Sequence, residues 1–314
     1  MFENAKILIE QYPRIILHRH NNPDGDALGS QIGLKHLILD NYPDKQVYAV
    51  GDMPGRYAFM EDSQPDTLPD DWYHGALAII LDTSAAALIS DNRYTLADKT
   101  LRIDHHLFCE TIADTEIVES SYESCCGLVT AMALECGWKF SPLSAKSLYC
   151  GMVTDSGRFR YDSVTARTHR LAAALLEVPF STAEIFNELY ADDFAMVQLR
   201  AGFVLKIRRF SPNVAYIYTT REEAKALPAS TFTISRGMVN TMSDIRGIDI
   251  WVNFTESADG VLCELRSKKY NINPVAVKYG GGGHEKASGA TVPDYQTAMR
   301  MLDDLGILAE GGNI

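Results

Sequence analysis

His20-Asn21-Asn22-Pro23-Asp24-Gly25-Asp26-Ala27 is the stretch on which the reading of the fold turns. A short β-branched run, Arg14–His18, stands before it, and Ala27–Leu39 after it has the apolar spacing of a helix. From His20 to Asp26 it holds one imidazole and two carboxylates, with Pro23 and Gly25 to bend the backbone. A strand that runs through a polar turn into a helix is a unit of a parallel α/β sheet, and such sheets bind ligands beyond the carboxyl ends of their strands. Imidazole mixed with carboxylate suits a borderline-hard divalent ion such as Mn²⁺, whereas thiolates would point to Zn²⁺. A solvated turn leading into a helix N-cap also favours Pro-Asp-Gly, so the stretch alone does not decide between the two.

The pattern recurs downstream. Val47–Val50, Ala76–Leu81 and Leu101–Asp104 are short apolar runs that each end near polar residues. Ala5–Tyr12, stopped by Pro13, and later Gly127–Cys136 and Leu143–Met152 have helical spacing. Apolar runs separated by helices predict a parallel sheet with helices on both faces. Three more clusters carry acids or imidazoles: Leu81-Asp82-Thr83-Ser84, Ile103-Asp104-His105-His106 and Met152-Val153-Thr154-Asp155-Ser156-Gly157. One aspartate after a strand is an ordinary cap. Four such clusters in one fold are not, because neighbouring carboxylates repel unless a cation lies among them.

A chain of 314 residues is long enough for two compact units. The expected division is residues 1–180, a helical connector at 181–199 within the helical stretch Arg167–Gln198, and a smaller α/β unit with a mixed sheet at 200–314. In that second unit Val204–Ile207, Val214–Tyr218, Ile250–Phe254 and Gly260–Arg266 read as strands. Arg221–Leu227 and Ser235–Met242 read as helical, and Tyr295–Leu305 as a closing helix. Charge follows the same division. The chain has 29 Lys and Arg against 41 Asp and Glu, a net −12, yet residues 200–290 have 13 against 8, a balance of +5. The first half is thus expected to bind cations and the second anions. The net charge excludes a duplex wrapper and a polybasic membrane binder. The six cysteines form no C-x-x-C pair and read as reduced thiols, five of them in apolar or mixed stretches. The N-terminus lacks a leader pattern and no uncharged apolar run reaches about 18 residues, so a soluble cytoplasmic protein is expected.

H-x-x-P-D-x-D, a strand-end Asp, D-H-H and a later Asp together resemble the DHH phosphoesterase superfamily, which includes manganese-dependent inorganic pyrophosphatases and RecJ-type exonucleases. Gly280-Gly281-Gly282-Gly283-His284-Glu285-Lys286-Ala287-Ser288-Gly289-Ala290, with Leu265-Arg266-Ser267 upstream, resembles the glycine-rich motif of the DHH-associated domain. The layout is most similar to the bacterial oligoribonuclease/3′-phosphoadenosine-5′-phosphate phosphatase group, the nanoRNases. The resemblance implies two divalent ions, with Mn²⁺ favoured. His20, Asp24 and Asp82 would hold one, and Asp26, Asp82, His105 and Asp155 the other, with Asp82 bridging. It further implies that Asp104 fixes the tautomer of a ligating histidine and that His106 faces the phosphate. Arg266, Ser267, Gly281, Gly282, Gly283 and His284 would bind substrate. Because neighbouring strand residues point opposite ways, His105 and His106 are expected to divide these roles between opposite faces.

The implied function is hydrolysis of short oligoribonucleotides to mononucleotides, with 3′-phosphoadenosine-5′-phosphate as a further substrate. The rivals are a phosphodiesterase for cyclic or linear dinucleotides and a non-catalytic nucleotide sensor, whose mark would be a lost ligand. Every ligand position is filled here. The implied partners are short single-stranded RNA or a small nucleotide, without membrane or long duplex; a homodimer is left open. A short connector and the absence of a basic track predict a preference for short strands. Among weaker signals, His18, His36, His74 and His169 read as structural or surface residues, and Tyr216, Tyr218 and Phe254 as strand packing. Asp162, Asp192 and Asp193 read as caps or exposed residues. Arg266 is a better phosphate ligand than Lys268 or Lys269, because a guanidinium can bind bidentately. Arg236 is a second candidate.

Overall fold

The computed structural model describes residues 2–312, and the chain divides into two units, the first ending at Ala191 and the second beginning at Asp192. The first starts with helix α1 (Glu3–Gln11), strand β1 (Arg14–His18), helix α2 (Gly25–Asn41) and strand β2 (Gln46–Ala49). Strands β3 (Leu77–Leu81), β4 (Lys99–Asp104) and β5 (Thr115–Val118) follow. Helices α3 (Cys125–Cys136), α4 (Pro142–Asp155), α5 (Ala166–Leu176) and α6 (Thr182–Tyr190) complete it. The sheet runs β2-β1-β3-β4-β5 with every pair parallel. Strand β3 is buried at all its positions, which is why Leu77–Leu81 is an unbroken apolar run and not an alternating one.

What places the functional groups is the approach of α2 to α4. A side chain at Gly29 would put its Cβ 2.6 Å from the Ser147 carbonyl, and one at Gly33 would strike Leu148 at 2.5 Å. Spaced four apart, these glycines share one face of α2 and let the two helix axes come close. The N-terminus of α2, with Asp26, is thereby brought beside the C-terminus of α4, with Asp155. Asp24 caps α2, its Oδ1 accepting from the amides of Asp26 and Ala27 at 3.0 Å each.

The second unit holds helix α7 (Phe194–Lys206), strands β6 (Arg208–Ser211) and β7 (Val214–Thr219), helix α8 (Arg221–Ala226), strands β8 (Ile250–Glu256) and β9 (Val261–Ser267), helix α9 (Asn273–Lys278), strands β10 (Gly282–His284) and β11 (Ala287–Val292), and helix α10 (Tyr295–Ala309). Its sheet runs β10-β11-β9-β8-β7-β6; β7 and β8 are parallel and the other neighbours antiparallel, so it is mixed as expected. Among the described residues no helix is long and apolar enough to cross a membrane.

Several expectations need correction. Val204–Ile207 is not a strand: Val204 lies in α7, whose buried Leu199 and Phe203 stand four apart on its inner face. The strand begins only at Arg208. Ser235–Met242 is not one helix but a π turn at Thr233–Gly237 and a 3-10 turn at Val239–Met242. Strands β5, β10 and β11 and helix α9 are not among the expected elements, being short or glycine-rich. Residues 181–199, expected as a connector, fall in α6, whose Ile185 and Leu189 are buried in the first unit, and in α7 of the second. Four cysteines are buried, Cys136 is half-buried and Cys109 is exposed.

Candidate metal centre and phosphate-binding residues

Each acid or imidazole of the first unit's clusters sits at or just beyond the carboxyl end of a strand, or at the facing ends of α2 and α4. His20 directs Nε2 to Asp24 Oδ1 at 3.8 Å and Asp82 Oδ2 at 3.6 Å. Its Nδ1 lies 2.7 Å from the carbonyl of Asn21, a contact that favours a proton on Nδ1 and turns Nε2 toward the carboxylates, available as a ligand atom once its own proton is released. His105 is arranged alike. Its Nδ1 faces the Tyr122 carbonyl at 3.3 Å, and its Nε2 lies 3.7 Å from Asp26 Oδ2, 3.4 Å from Asp82 Oδ1 and 3.5 Å from Asp155 Oδ2.

Asp82 stands between the two sets. It has a left-handed backbone, φ +50°, a conformation a residue of this type adopts mostly where the surroundings demand it. Its carboxylate is buried, with Oδ2 toward His20 and Oδ1 toward His105, and Oδ1 has no hydrogen-bond partner. Asp26 is also buried, and accepts from the amides of Cys125 at 2.7 Å and Cys126 at 2.9 Å, at the N-terminus of α3. Those amides and the helix dipole favour its negative charge.

The electrostatics are those of a site short of cations. Burial, then the charge of Asp82, pushes Asp26 well above the usual carboxylate range. Burial, joined by Asp82 and Asp24, pushes Asp155 up to about 6. Burial opposes ionisation of Asp82 as well, but the nearby imidazoles of His105 and His20 hold it well below that range. Burial likewise disfavours the charged imidazoles, yet Asp24 and Asp82 push His20, and Asp82, Asp26 and Asp155 push His105, up to about 10. Protons on the imidazoles thus do what a metal ion could do better, and binding one would release them.

The donors fit a pair of divalent ions. His20, Asp24 and Asp82 form one group and Asp26, His105 and Asp155 a second, while Asp82, His105 and His106 form a third that overlaps both; within each the candidate ligand atoms lie within 4.8 Å of one another. The unsatisfied Oδ1 of Asp82 is the independent sign that something positive belongs there. All six residues expected as ligands are therefore brought together.

His106 departs from expectation. Strand β4 ends at Asp104, so strand alternation does not extend to the two histidines. Their rings lie 4.7 Å apart, and both approach Asp82, His106 through Nδ1 at 3.7 Å. Asp104 does not fix the tautomer of His20 or His105. Its Oδ1 is 2.7 Å from Nδ1 of His106, while its Oδ2 accepts from Arg102 Nη2 at 2.6 Å. Burial opposes the charge of Asp104, but His106 and Arg102 hold it below the usual range. The hydrogen bond to Asp104 raises the pKa of His106 in turn. Sequence reasoning misses Arg102. It is fully buried, with further bonds to the carbonyls of Ser84 and Glu110 and to Glu116. Its one signal is a charged residue inside the apolar run Leu101–Asp104. His18, as expected, is structural: it is buried, meets the Asp91 carbonyl at 3.1 Å and is pushed down to about 4 by burial. His36, by contrast, lies 2.9 Å from Asp62.

In the second unit a recess of about 530 Å³ is lined by Gly280, Gly281, Gly282 and Gly289 together with Phe232, Arg236 and Glu264. Gly281 is required there, since a Cβ would fall 2.1 Å from the Gly289 carbonyl. Glu264, not anticipated, is shared by two arginines: Arg236 Nε is 3.3 Å from Oε1 and Arg266 Nη1 3.3 Å from Oε2. Part of the glycine run is not a free loop, because Gly282, Gly283 and His284 pair with Gly289, Ser288 and Ala287. His284 is exposed, and the Ser267 hydroxyl is occupied in accepting from the amides of Lys269 and Tyr270.

Comparison with known proteins agrees with this layout. Residues 14–152 match the DHH family, N-terminal domain, and residues 225–308 match the DHHA1 domain. A Bacillus subtilis protein named bifunctional oligoribonuclease and PAP phosphatase NrnA is 36% identical over 96% of this chain and 96% of its own length. A Mycoplasma genitalium protein of the same name is 33% identical over 94% of each chain. The crystal structure of an exopolyphosphatase-related protein from Bacteroides fragilis superimposes with a TM-score of 0.82 at 25% identity, covering 96% of this chain and 94% of that one.

Proposed function

From a chain that belongs to the DHH family, we propose an enzyme that uses two divalent ions, Mn²⁺ by preference, to hydrolyse short oligoribonucleotides to mononucleotides and 3′-phosphoadenosine-5′-phosphate to AMP. The observation that carries this reading is the placement of Asp82, with one oxygen toward each of two separate His/Asp groups. The names of the relatives supply the substrates. His20 and Asp24 would hold one ion, Asp26, His105 and Asp155 the other, and Asp82 both. Divalent ions there supply Lewis acidity and charge neutralisation to a phosphoryl group.

The chain's own residues do the rest. With Nδ1 engaged by Asp104, His106 turns Nε2 outward, and its side chain is 45% exposed. Protonated, that nitrogen can donate to a phosphoryl oxygen as charge develops on it. Arg102 keeps Asp104 ionised, and Asp104 keeps the proton on Nδ1 of His106. In the second unit, Arg266 and Arg236 can exchange Glu264 for a phosphate, which offers the planar guanidinium a bidentate partner.

A chelator should abolish hydrolysis, and Mn²⁺ should restore it. The measurement is nucleotide release from a dinucleotide, a pentanucleotide, 3′-phosphoadenosine-5′-phosphate and cyclic di-AMP, with products resolved. Full activity of metal-free protein would sink the reading; release from cyclic di-AMP alone would move it to a cyclic-dinucleotide phosphodiesterase. Arg266→Ala should raise KM for short oligonucleotides on the order of 10-fold, as expected for loss of one charge-assisted contact. It should also flatten the preference for short strands while leaving kcat within a few-fold. A fall in kcat at unchanged KM would place Arg266 outside the grip on substrate.

A further inference from the structure

The acidic first unit is expected to bind cations, yet directly beyond Asp155 it carries a recess of about 190 Å³ whose lining holds no acid. Arg56, Arg158 and Arg160 line it with Tyr57, Tyr161 and Tyr190. None of the three arginines forms an ion pair with a carboxylate among the described residues. Instead, Arg158 lies over the ring of Tyr190 at 4.6 Å and Arg56 over that of Tyr57 at 4.9 Å, while Arg160 Nε donates to the Gly157 carbonyl at 3.2 Å. All three arginines are exposed and without a carboxylate partner, so the recess presents positive charge to an anion.

The recess lies next to the candidate metal centre along the chain. Thr154, which lines it, directly precedes Asp155, and a Cβ at Gly25, between Asp24 and Asp26, would fall 2.5 Å from the Thr154 hydroxyl. Its far wall is a tight loop. Gly157, Arg158 and Phe159 all have left-handed backbones, with φ of +57°, +64° and +59°. The loop is tied back to α4 by the bonds Arg158 N–H to Val153 O at 2.8 Å and Arg160 N–H to Ser156 O at 3.0 Å. Gly157 leaves room for the Tyr161 ring, since a Cβ there would fall 2.4 Å from it. The ring therefore lies against the backbone, 58% exposed, as a flat surface beside the arginines.

We propose that this recess is a subsite for a nucleotide of the RNA beyond the scissile phosphate, with Arg56, Arg158 and Arg160 holding its phosphodiester and Tyr161 stacking on its base. Arginine with exposed aromatic rings is the composition that binds single strands without regard to sequence, the charge tracking the backbone and the rings the bases. A compound with one nucleoside does not extend into it, whereas a pentanucleotide does. The subsite rests on the oligoribonuclease reading and deepens it: the same centre would serve both substrates, and the recess would distinguish them.

The test is R158Q/R160Q, with Tyr161→Ala as a second variant that leaves the tight loop intact. Relative to 3′-phosphoadenosine-5′-phosphate, kcat/KM on a pentanucleotide should fall on the order of 10-fold or more in each. Binding of a fluorescent pentanucleotide to chelated protein, followed by anisotropy, should lose up to about 0.7 from the slope of log K against log salt in R158Q/R160Q, the contribution of one neutralised phosphate on a single strand. An unchanged substrate ratio in both variants overturns the subsite, and so does an unchanged salt slope in R158Q/R160Q. Wild-type protein that cleaves neither substrate overturns the oligoribonuclease reading instead, and the anisotropy comparison still decides whether the recess binds RNA.

Discussion

Asp82→Ala is expected to reduce phosphoester hydrolysis by about 10³-fold or more, a larger loss than from any other single ligand change. The reason is geometric. Asp24 faces only His20 and Asp82, and Asp155 sits with the His105 group, whereas Asp82 turns one oxygen to each group. Removing it withdraws a ligand from both candidate ions at once. Metal content should separate the variants: Asp82→Ala should lower the occupancy of both ions, and Asp155→Ala chiefly that of one. Ordinary thermal melting would show that the loss is not one of folding. Turnover near wild type in Asp82→Ala, with loss in Asp155→Ala, would remove Asp82 from the bridging position.

Asp82 stands out in the amino-acid sequence because of the chemistry of its neighbours. Leu77–Leu81 is apolar because both faces of β3 are covered, so the first acid after it marks the carboxyl end of a strand. The same logic places Asp104 at the end of β4 and the His20–Asp26 turn after β1. Backbone conformation is not legible in this way. Nothing in Leu81-Asp82-Thr83 announces a left-handed aspartate, which is set by the surrounding fold rather than by its own propensity. Nor does the sequence show that β4 stops at Asp104, so the alternation expected of His105 and His106 fails where the strand ends. In the second unit, Val204–Ile207 reads as a strand because a short apolar run looks alike in a strand and at the end of a helix. The burial of Leu199 and Phe203 decides it, and that is a tertiary fact. The basic recess is hidden for a related reason. Arg56 stands about a hundred residues before Arg158 and Arg160 in the chain, and the acidic total of the first half conceals a local cluster that only folding assembles.

His106 and His105 should part company on mutation although their rings touch. His105→Ala should lower metal content, because its Nε2 faces three carboxylates of the candidate centre. His106→Ala should leave the ions bound and slow turnover on the order of 10²-fold, the loss expected for a donor aimed at developing charge. The connection through Asp104 sharpens the test. Asp104 is buried between Arg102 and His106 and touches the substrate side only through that imidazole. Asp104→Asn should therefore slow turnover as well, and lower Tm, because a buried guanidinium loses its closest carboxylate. Combined with His106→Ala, however, it should cost no more turnover than His106→Ala alone, since a residue that acts through another has nothing left to act on once that partner is gone. Additive losses would mean that Asp104 has a second route to the reaction. Metal loss in His106→Ala equal to that in His105→Ala would make His106 a ligand, a role its 3.7 Å approach to Asp82 permits. The pair of readouts, metal content and turnover, would thus assign each histidine by what it holds, with an ion expected at His105 and, at His106, a proton that Asp104 and Arg102 keep in place.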